Sequence, residues 1–268
     1  MVPGDSDVLR FRKRPPLGAN LRMRQSEREW GLVAILDALG AAGYSDDEIE
    51  RFLRSREIVL GLLAEKAEVV LGEIQLNKMT TFTFGDTVVI VYRTKRSTSH
   101  KDIEAFFTLL RKFMVDSLCH RILFRGAVAI GSFYANDDTN TVLGSAVADA
   151  AAWYTSAEWV GIHATPHASL LIDSLTGGGA DLDRLIVDYD VPMRDSTKKR
   201  LKAVNWPRAF YVASLTPCGE EDDERAKCLE LLTRHRIPKG IEDKYFNTVA
   251  FFDFAGKRRA KTSKKRTS

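Results

Sequence analysis

Apolar residues crowd into Trp30-Gly-Leu-Val-Ala-Ile-Leu36 and stop at Asp37. A short apolar run closed by a polar turn predicts a buried strand. Ser45-Asp-Asp-Glu48 then has the spacing of a capping box. Beyond it Ile49, Phe52, Leu53, Leu60, Leu63, Ala67 and Val70 recur at helical intervals, which predicts one long helix ending near Leu71. In Thr80-Thr-Phe-Thr-Phe-Gly-Asp-Thr-Val-Val-Ile-Val-Tyr92 phenylalanines alternate with threonines, Gly85-Asp86 supplies turn chemistry, and an apolar run follows. That pattern is a β-hairpin with Asp86 at its tip.

A second helix is predicted from Lys101 to about Cys119, and a β-like stretch over Arg121–Phe133. A polar loop at Asn136–Asn140, a small-residue helix over Gly144–Ser156 and a short strand over Val160–His163 follow. The order β, long α, β-hairpin, α, β, α, β describes an α+β, ferredoxin-like palm. Gly177-Gly-Gly179 marks a boundary. Past it, Leu185–Val187, Phe210–Ala213 and Val249–Phe254 are strand-like, and Glu221–His235 is helical. The expected organisation is a basic segment at 1–29, a catalytic domain at 30–175, a C-terminal α/β extension at 176–256, and a basic disordered tail at 257–268.

Composition narrows the class. With 44% hydrophobic residues in 268, the chain has enough apolar surface to close a core. Its apolar runs are far shorter than the ~20 residues of a membrane helix, and its first residues carry no apolar leader pattern, so a cytoplasmic protein with no membrane contact is expected. Cys119, Cys218 and Cys228 spell neither a disulfide framework nor a zinc site. The net charge is +4, but seven of the last twelve residues are Lys or Arg, so the rest stands at −3. The folded body is mildly acidic, and no basic, aromatic-lined nucleic-acid face is expected. No Gly-x-x-x-x-Gly-Lys-[Ser/Thr] loop and no Gly-x-Ser-x-Gly elbow occurs, which sets aside P-loop ATPases and the common hydrolases.

Two aspartates carry the candidate chemistry. Asp37 ends the first strand and opens Asp37-Ala-Leu-Gly40, while Asp86 tips the next hairpin, which a palm places beside that strand. Two close carboxylates repel unless a cation lies between them. Two Mg²⁺ or Mn²⁺ ions answer that need and bind a triphosphate, since such ions take oxygen ligands and keep few from protein. The backbone N–H groups from Asp37 to Gly40, Leu39 included, are placed to cradle phosphates. Arg125 reads as a structural ion pair before it reads as a phosphate contact. His163 and His167 have metal-like spacing but are expected to have ordinary loop roles, and Trp153 and Trp159 packing or dimer roles.

At these residues the chain resembles the class III nucleotide cyclases. Ile35-Leu-Asp-Ala-Leu-Gly40 resembles their first metal motif and Phe84-Gly-Asp-Thr87 their second. Arg125-Gly-Ala-Val-Ala-Ile-Gly131, Gly144-Ser-Ala-Val-Ala-Asp-Ala-Ala151 and Gly161–Pro166 resemble the strand, helix and strand that follow. The resemblance covers about residues 30–175. It implies that Asp37, Asp86 and the Ala38 carbonyl bind two divalent cations, and that a homodimer forms composite active sites.

The departures from that family matter equally. Its adenine-reading lysine falls at Phe82, its polar base-reader at Thr141, and its transition-state Asn and Arg at Ala148 and Ala152. With Asp188-Tyr-Asp-Val-Pro192 and Val204-Asn-Trp-Pro207, this pattern resembles the pyrimidine cyclases of bacterial Pycsar antiphage defence. That implies conversion of UTP, or CTP, to a diffusible cyclic nucleotide read by a separate effector, with Phe82 and Thr141 at the base. The alternatives are a catalytically degenerate cyclase-like module, or a cyclase acting on CTP or a purine triphosphate. A diguanylate-cyclase or polymerase palm is disfavoured because the hairpin reads Phe-Gly-Asp-Thr.

Overall fold

The computed structural model describes residues 27–72, 77–94, 97–176, 182–213, 221–234 and 240–266. The 1–26 part of the N-terminal segment, the Gly177–Gly179 boundary, Cys218 and His235 lie outside them. β1 (Glu29–Ala38) is followed by a 3-10 turn at Ala41–Gly43 and by α1 (Asp46–Leu71). The Ser45 backbone N–H donates to Glu48 at 2.8 Å, and the capping box starts α1 where the sequence places it. The hairpin is β2 (Met79–Phe84) and β3 (Thr87–Thr94), turning through Gly85 at φ 61°. A two-residue hairpin loop with a positive-φ first position favours glycine there.

α2 (His100–Cys119) carries a second capping box, Ser99 with Asp102, and leads into β4 (Phe124–Asn136). Then come β5 (Thr141–Leu143), α3 (Ser145–Trp153), β6 (Gly161–Ala164) and α4 (Pro166–Thr176). The C-terminal third contributes β7 (Ile186–Pro192), β8 (Lys198–Val204), α5 (Trp206–Ala213), α6 (Glu221–Thr233) and α7 (Glu242–Arg266).

Strand order in the sheet is β2-β3-β1-β4-β6-β8-β7, with β5 on β4. The first four are the ferredoxin-like order: α1 carries the chain from β1 to β2 and α2 from β3 to β4, each stepping over one strand. β1 is antiparallel to both neighbours, and β4 is parallel to β6. The β7–β8 hairpin extends this same sheet, paired to β6 at His163↔Ala203. No helix of the described residues is long and apolar enough to cross a membrane.

The two sheet faces are covered unequally. The larger core, under α1 and α2, holds Leu32, Ala34, Leu36, Val88, Ile90 and the α2 residues Phe106, Leu110 and Phe113. The opposite face gathers Val33, Ile35, Phe82, Val89, Val91, Ala129 and Phe133 under α3, which adds the buried Ala146 and Ala150 and the half-buried Val147. Small side chains let α3 lie close to the sheet. Asp37 lies two and four residues beyond Ile35 and Val33, so it shares this thinly covered face.

Several expectations need correction. Phe210–Ala213 and Val249–Phe254 are helical, within α5 and α7. Trp206, Ala209 and Phe210, and likewise Tyr245, Thr248, Phe251, Phe252 and Ala255, are buried at steps of three and four, the helical interval. The segment after Gly161–Ala164 is the helix α4: Pro166 opens it as a first-turn residue, and Thr165 Oγ1 accepts from the Ala168 N–H at 3.2 Å as its cap. β5 and β8 were not anticipated. In place of a disordered tail, the backbone of α7 runs on to Arg266; its Lys, Arg and Ala are strong helix formers.

Candidate active site

Asp37 and Asp86 meet where β1 ends against the hairpin turn. Asp37 lies opposite Thr87 in the register, and the Ala38 N–H donates to the Asp86 carbonyl at 3.2 Å. The neighbourhood inferred from the palm order is therefore closed by a backbone hydrogen bond. Arg125 faces Asp37 across β4 in the register. Its Nε and Nη2 donate to Asp37 Oδ2 at 3.2 and 3.0 Å, and its Nη1 donates to the Thr155 carbonyl at 3.3 Å. Arg125 thus makes the ion pair anticipated for it, and its partner is the first of the two aspartates.

This corrects one part of the sequence reading. Asp37 is not an open, unpaired carboxylate: its side chain is 17% exposed and that of Arg125 9%. Burial raises the Asp37 carboxyl above its ordinary range. The Arg125 hydrogen bonds and charge pull it back, the Asp86 charge pushes it up, and Arg194 opposes that push. Arg194 follows β7, so a residue of the C-terminal extension reaches the field of the site. Sequence reasoning missed it because 157 positions separate it from Asp37 and no local motif marks it. Arg194 itself lies near Glu158, at 3.6 Å.

The amides after Asp37 divide into committed and open ones. Ala38 N–H goes to Asp86 and Leu39 N–H to the Leu123 carbonyl at 2.8 Å, so Leu39 has no amide left for a phosphate. Gly40, at φ 87°, leads the 3-10 turn, where N–H groups have no acceptor within the turn itself. Of the amides expected to face a phosphate, that of Leu39 is thereby excluded and that of Gly40 remains, joined by that of Ala41. The Tyr44 hydroxyl closes the loop from the other side, donating to the Leu39 carbonyl at 3.5 Å.

The base-reading assignments fare differently. Phe82 is 1% exposed, opposite Val89 in the second core, so the structure overturns it as a stacking partner for a base. Its side chain is held by packing against the sheet face. Thr141 is exposed at the start of β5 and bonds to Thr139. The adjoining Asn140 amide donates to the Thr83 carbonyl at 3.3 Å, which brings this loop to the strand that carries Phe82. Ala148 and Ala152 are exposed on α3. Ala152 shares a cavity of about 250 Å³ with Trp153, Ser156, Arg194 and Lys199.

The described residues contain no cluster of three or more His, Cys, Asp or Glu suited to a metal. Asp37 keeps Oδ1 outside the Arg125 pair, and the Asp86 carboxylate has no hydrogen-bond partner among the described residues. Two hard oxygen donors side by side suit a cation such as Mg²⁺ or Mn²⁺, which retains waters.

Neither His163 nor His167 belongs to a metal-like cluster among the described residues. His167 is exposed in the first turn of α4, whereas His163 is fully buried in β6. Burial pushes the His163 imidazole down to about 4, with a weaker opposing pull from the Gly126 backbone. The base is neutral when folded and titrates near 6.5 when unfolded, so its stabilisation is present above pH 6.5 and lost as pH falls toward 4. Urea titrations should show unfolding free energy declining across that window by up to about 3 kcal/mol. The His163→Met variant should show a shallower decline.

No protein-family model and no curated protein matches the chain. Among solved structures it is similar to the catalytic core of a rhodopsin-guanylyl cyclase with converted specificity, in complex with ATPαS. That match has 13% identity, covers 68% of this chain and 98% of the other, and has a TM-score of 0.47. The non-canonical dimeric guanylyl cyclase domain of the RhoGC fusion protein from the aquatic fungus Blastocladiella emersonii matches at 12%, 66% and 95%, and 0.46. The guanylate cyclase domain of RhGC from Catenaria anguillulae, in complex with GTP, matches at 13%, 66% and 97%, and 0.45. What the site does chemically is read from its own residues.

Proposed function

We propose that the chain is a nucleotide cyclase of the class III type, converting a nucleoside triphosphate to a 3′,5′-cyclic nucleotide and pyrophosphate. The observation that carries this is the meeting of Asp37 and Asp86 at one end of the thinly covered sheet face, with the Ala38 N–H bonded to the Asp86 carbonyl. Asp37 Oδ1, the Asp86 carboxylate and the Ala38 carbonyl would hold one or two divalent cations, which supply Lewis-acid stabilisation of charge on the α-phosphate and the leaving pyrophosphate. The protein's own part is to place and charge this pair. Arg125 fixes the Asp37 rotamer through two hydrogen bonds to one oxygen and keeps the carboxyl more acidic than burial alone would leave it. Gly40 and Ala41 offer amides to a phosphate.

The favoured substrate is UTP, with CTP second, and the cyclic product acts as a diffusible second messenger in antiphage defence. Two features support a pyrimidine: the position of the purine-reading lysine holds the buried Phe82, which presents no donor, and Thr141 offers a small hydroxyl. Ala148 and Ala152, where the family has its transition-state donors, favour instead the degenerate alternative, against which the two retained aspartates stand. Incubation with each of the four nucleoside triphosphates and Mn²⁺, followed by mass spectrometry, tests this. Cyclic UMP as the main product supports it, and preferential turnover of ATP or GTP overturns the pyrimidine assignment.

A homodimer with composite sites completes the reading. Phe84 is 44% exposed, shares the strand face of Phe82 and lies two residues before Asp86. Light scattering should show a dimer at working concentration. An active monomer would exclude composite sites.

A further inference from the structure

Behind the loop that follows Asp37, on the side of the sheet covered by α1 and α2, lies a cavity of about 440 Å³. Volumes of this order hold small-molecule ligands. Its floor is apolar, made by Phe52 and Ile122, with the Tyr44 ring set against Phe52 at 5.9 Å. Its rim carries Arg51, Arg54, Arg121 and Arg234 against a single acid, Glu48. That acid is occupied elsewhere: one of its oxygens accepts from both the backbone N–H and the hydroxyl of Ser45. Arg54 and Arg234 pair with Glu50 and Glu230 on the exposed helix surfaces, pairs weak enough to exchange for a stronger anion.

Arg121 is the unusual member. Its backbone sits at φ 63°, in the left-handed region. The Ile122 N–H bonds to the Ser117 carbonyl at 2.8 Å and the Arg121 N–H to the Leu118 carbonyl at 3.1 Å. These two bonds are the Schellman ending of α2, in which the residue at the Arg121 position is ordinarily glycine. The chain instead sets a side chain with a conformational cost there and aims it at the cavity. Its guanidinium has no ion pair or hydrogen bond among the described residues. A residue that breaks a local rule without a packing partner points to a functional demand.

We propose that this cavity binds a small molecule bearing two or more phosphate groups, held by the guanidinium groups of Arg51, Arg54, Arg121 and Arg234, with Tyr44 and Phe52 against its apolar part. Planar guanidinium groups match phosphate oxygens in paired hydrogen bonds. The site is distinct from the aspartate pair and does not depend on the cyclase reading. It adjoins the candidate active site through Tyr44, whose hydroxyl bonds to the Leu39 carbonyl.

The test is calorimetric titration of the full chain with inorganic pyrophosphate in EDTA, so that no divalent cation can recruit the probe to Asp37 and Asp86. Saturable binding is expected, weakened about tenfold in Arg121→Gly. The same variant should melt at an equal or higher temperature, because glycine accepts the left-handed conformation without strain. Arg51→Gln/Arg54→Gln should weaken binding as well, and Asp86→Asn should leave it unchanged. Absence of saturable binding at millimolar probe, or an affinity in Arg121→Gly within twofold of the parent, would overturn the proposal. Tighter binding in Asp86→Asn would also overturn it, since without a cation a carboxylate repels the probe and its neutralisation would strengthen an anion held beside the aspartates.

Discussion

Asp86→Ala loses turnover by at least ~10³-fold with no more than a degree or so of change in melting temperature. The carboxylate sits at a turn, has no hydrogen-bond partner among the described residues, and repels Asp37, so removing it relieves a destabilising contact. The loss in rate follows from removing one of the two carboxylates proposed to hold the cation: several kcal/mol of charge stabilisation correspond to about three powers of ten. Asp37→Ala loses the same activity but pays differently in stability. It leaves the Arg125 guanidinium, in a residue 8% exposed, with only the Thr155 carbonyl. Unfolding titrations should show a cost of roughly 2–4 kcal/mol for Asp37→Ala. Asp37→Asn, which keeps an oxygen for Arg125, should recover much of that stability and none of the rate. Retained product formation in Asp86→Ala would remove the metal-binding role from the hairpin.

The second large effect is structural and falls on Gly31. A Cβ built at this residue would lie 1.9 Å from the Tyr92 carbonyl oxygen and 3.1 Å from the Thr94 nitrogen. Both contacts are backbone in the neighbouring strand, so no side-chain rotation relieves them. β1 would have to part from β3 in the middle of the sheet. Gly31→Ala is expected to cost on the order of 4 kcal/mol or more, enough to leave the chain largely unfolded. Circular dichroism and a urea titration check it; a melting temperature near the parent's would show that the strands re-register freely.

Which features were legible in the sequence depended on how local their causes are. Ser45 with Glu48 announces α1 because a capping box is complete within four residues. Phe82 to Tyr92 announces the hairpin because alternation and turn chemistry lie side by side. The aspartates were legible through order alone, strand then hairpin. By contrast, the apolar runs Phe210–Ala213 and Val249–Phe254 are too short for their period to be told by eye, and they proved helical. β8 begins Lys198-Lys-Arg200, a polar edge that hides a strand. The ion pair of Asp37 with Arg125 spans 88 positions and exists only because β1 and β4 adopt one register. The burial of Phe82 follows from the cluster it joins with Val89, Phe133, Val142 and Ala146, residues of four other elements, which no spacing within β2 discloses.

The central position of β1 also sets a timetable for synthesis. Its register pairs run to β3, from Asp37↔Thr87 to Trp30↔Thr94, and to β4, from Ala38↔Phe124 to Glu29↔Phe133. β1 therefore waits on segments about 50 and about 100 residues downstream. At ribosomal rates of ~5–20 residues per second, Leu32-Val-Ala-Ile-Leu36 is exposed with both edges bare for several seconds before β3 covers one edge. The second edge stays bare until β4 follows, about twice as late. During that interval the nascent chain presents an unpaired apolar strand to every neighbouring polypeptide. A slow-translating host, or one short of holding chaperones, should lose more of this protein to aggregation than its folded stability alone would suggest.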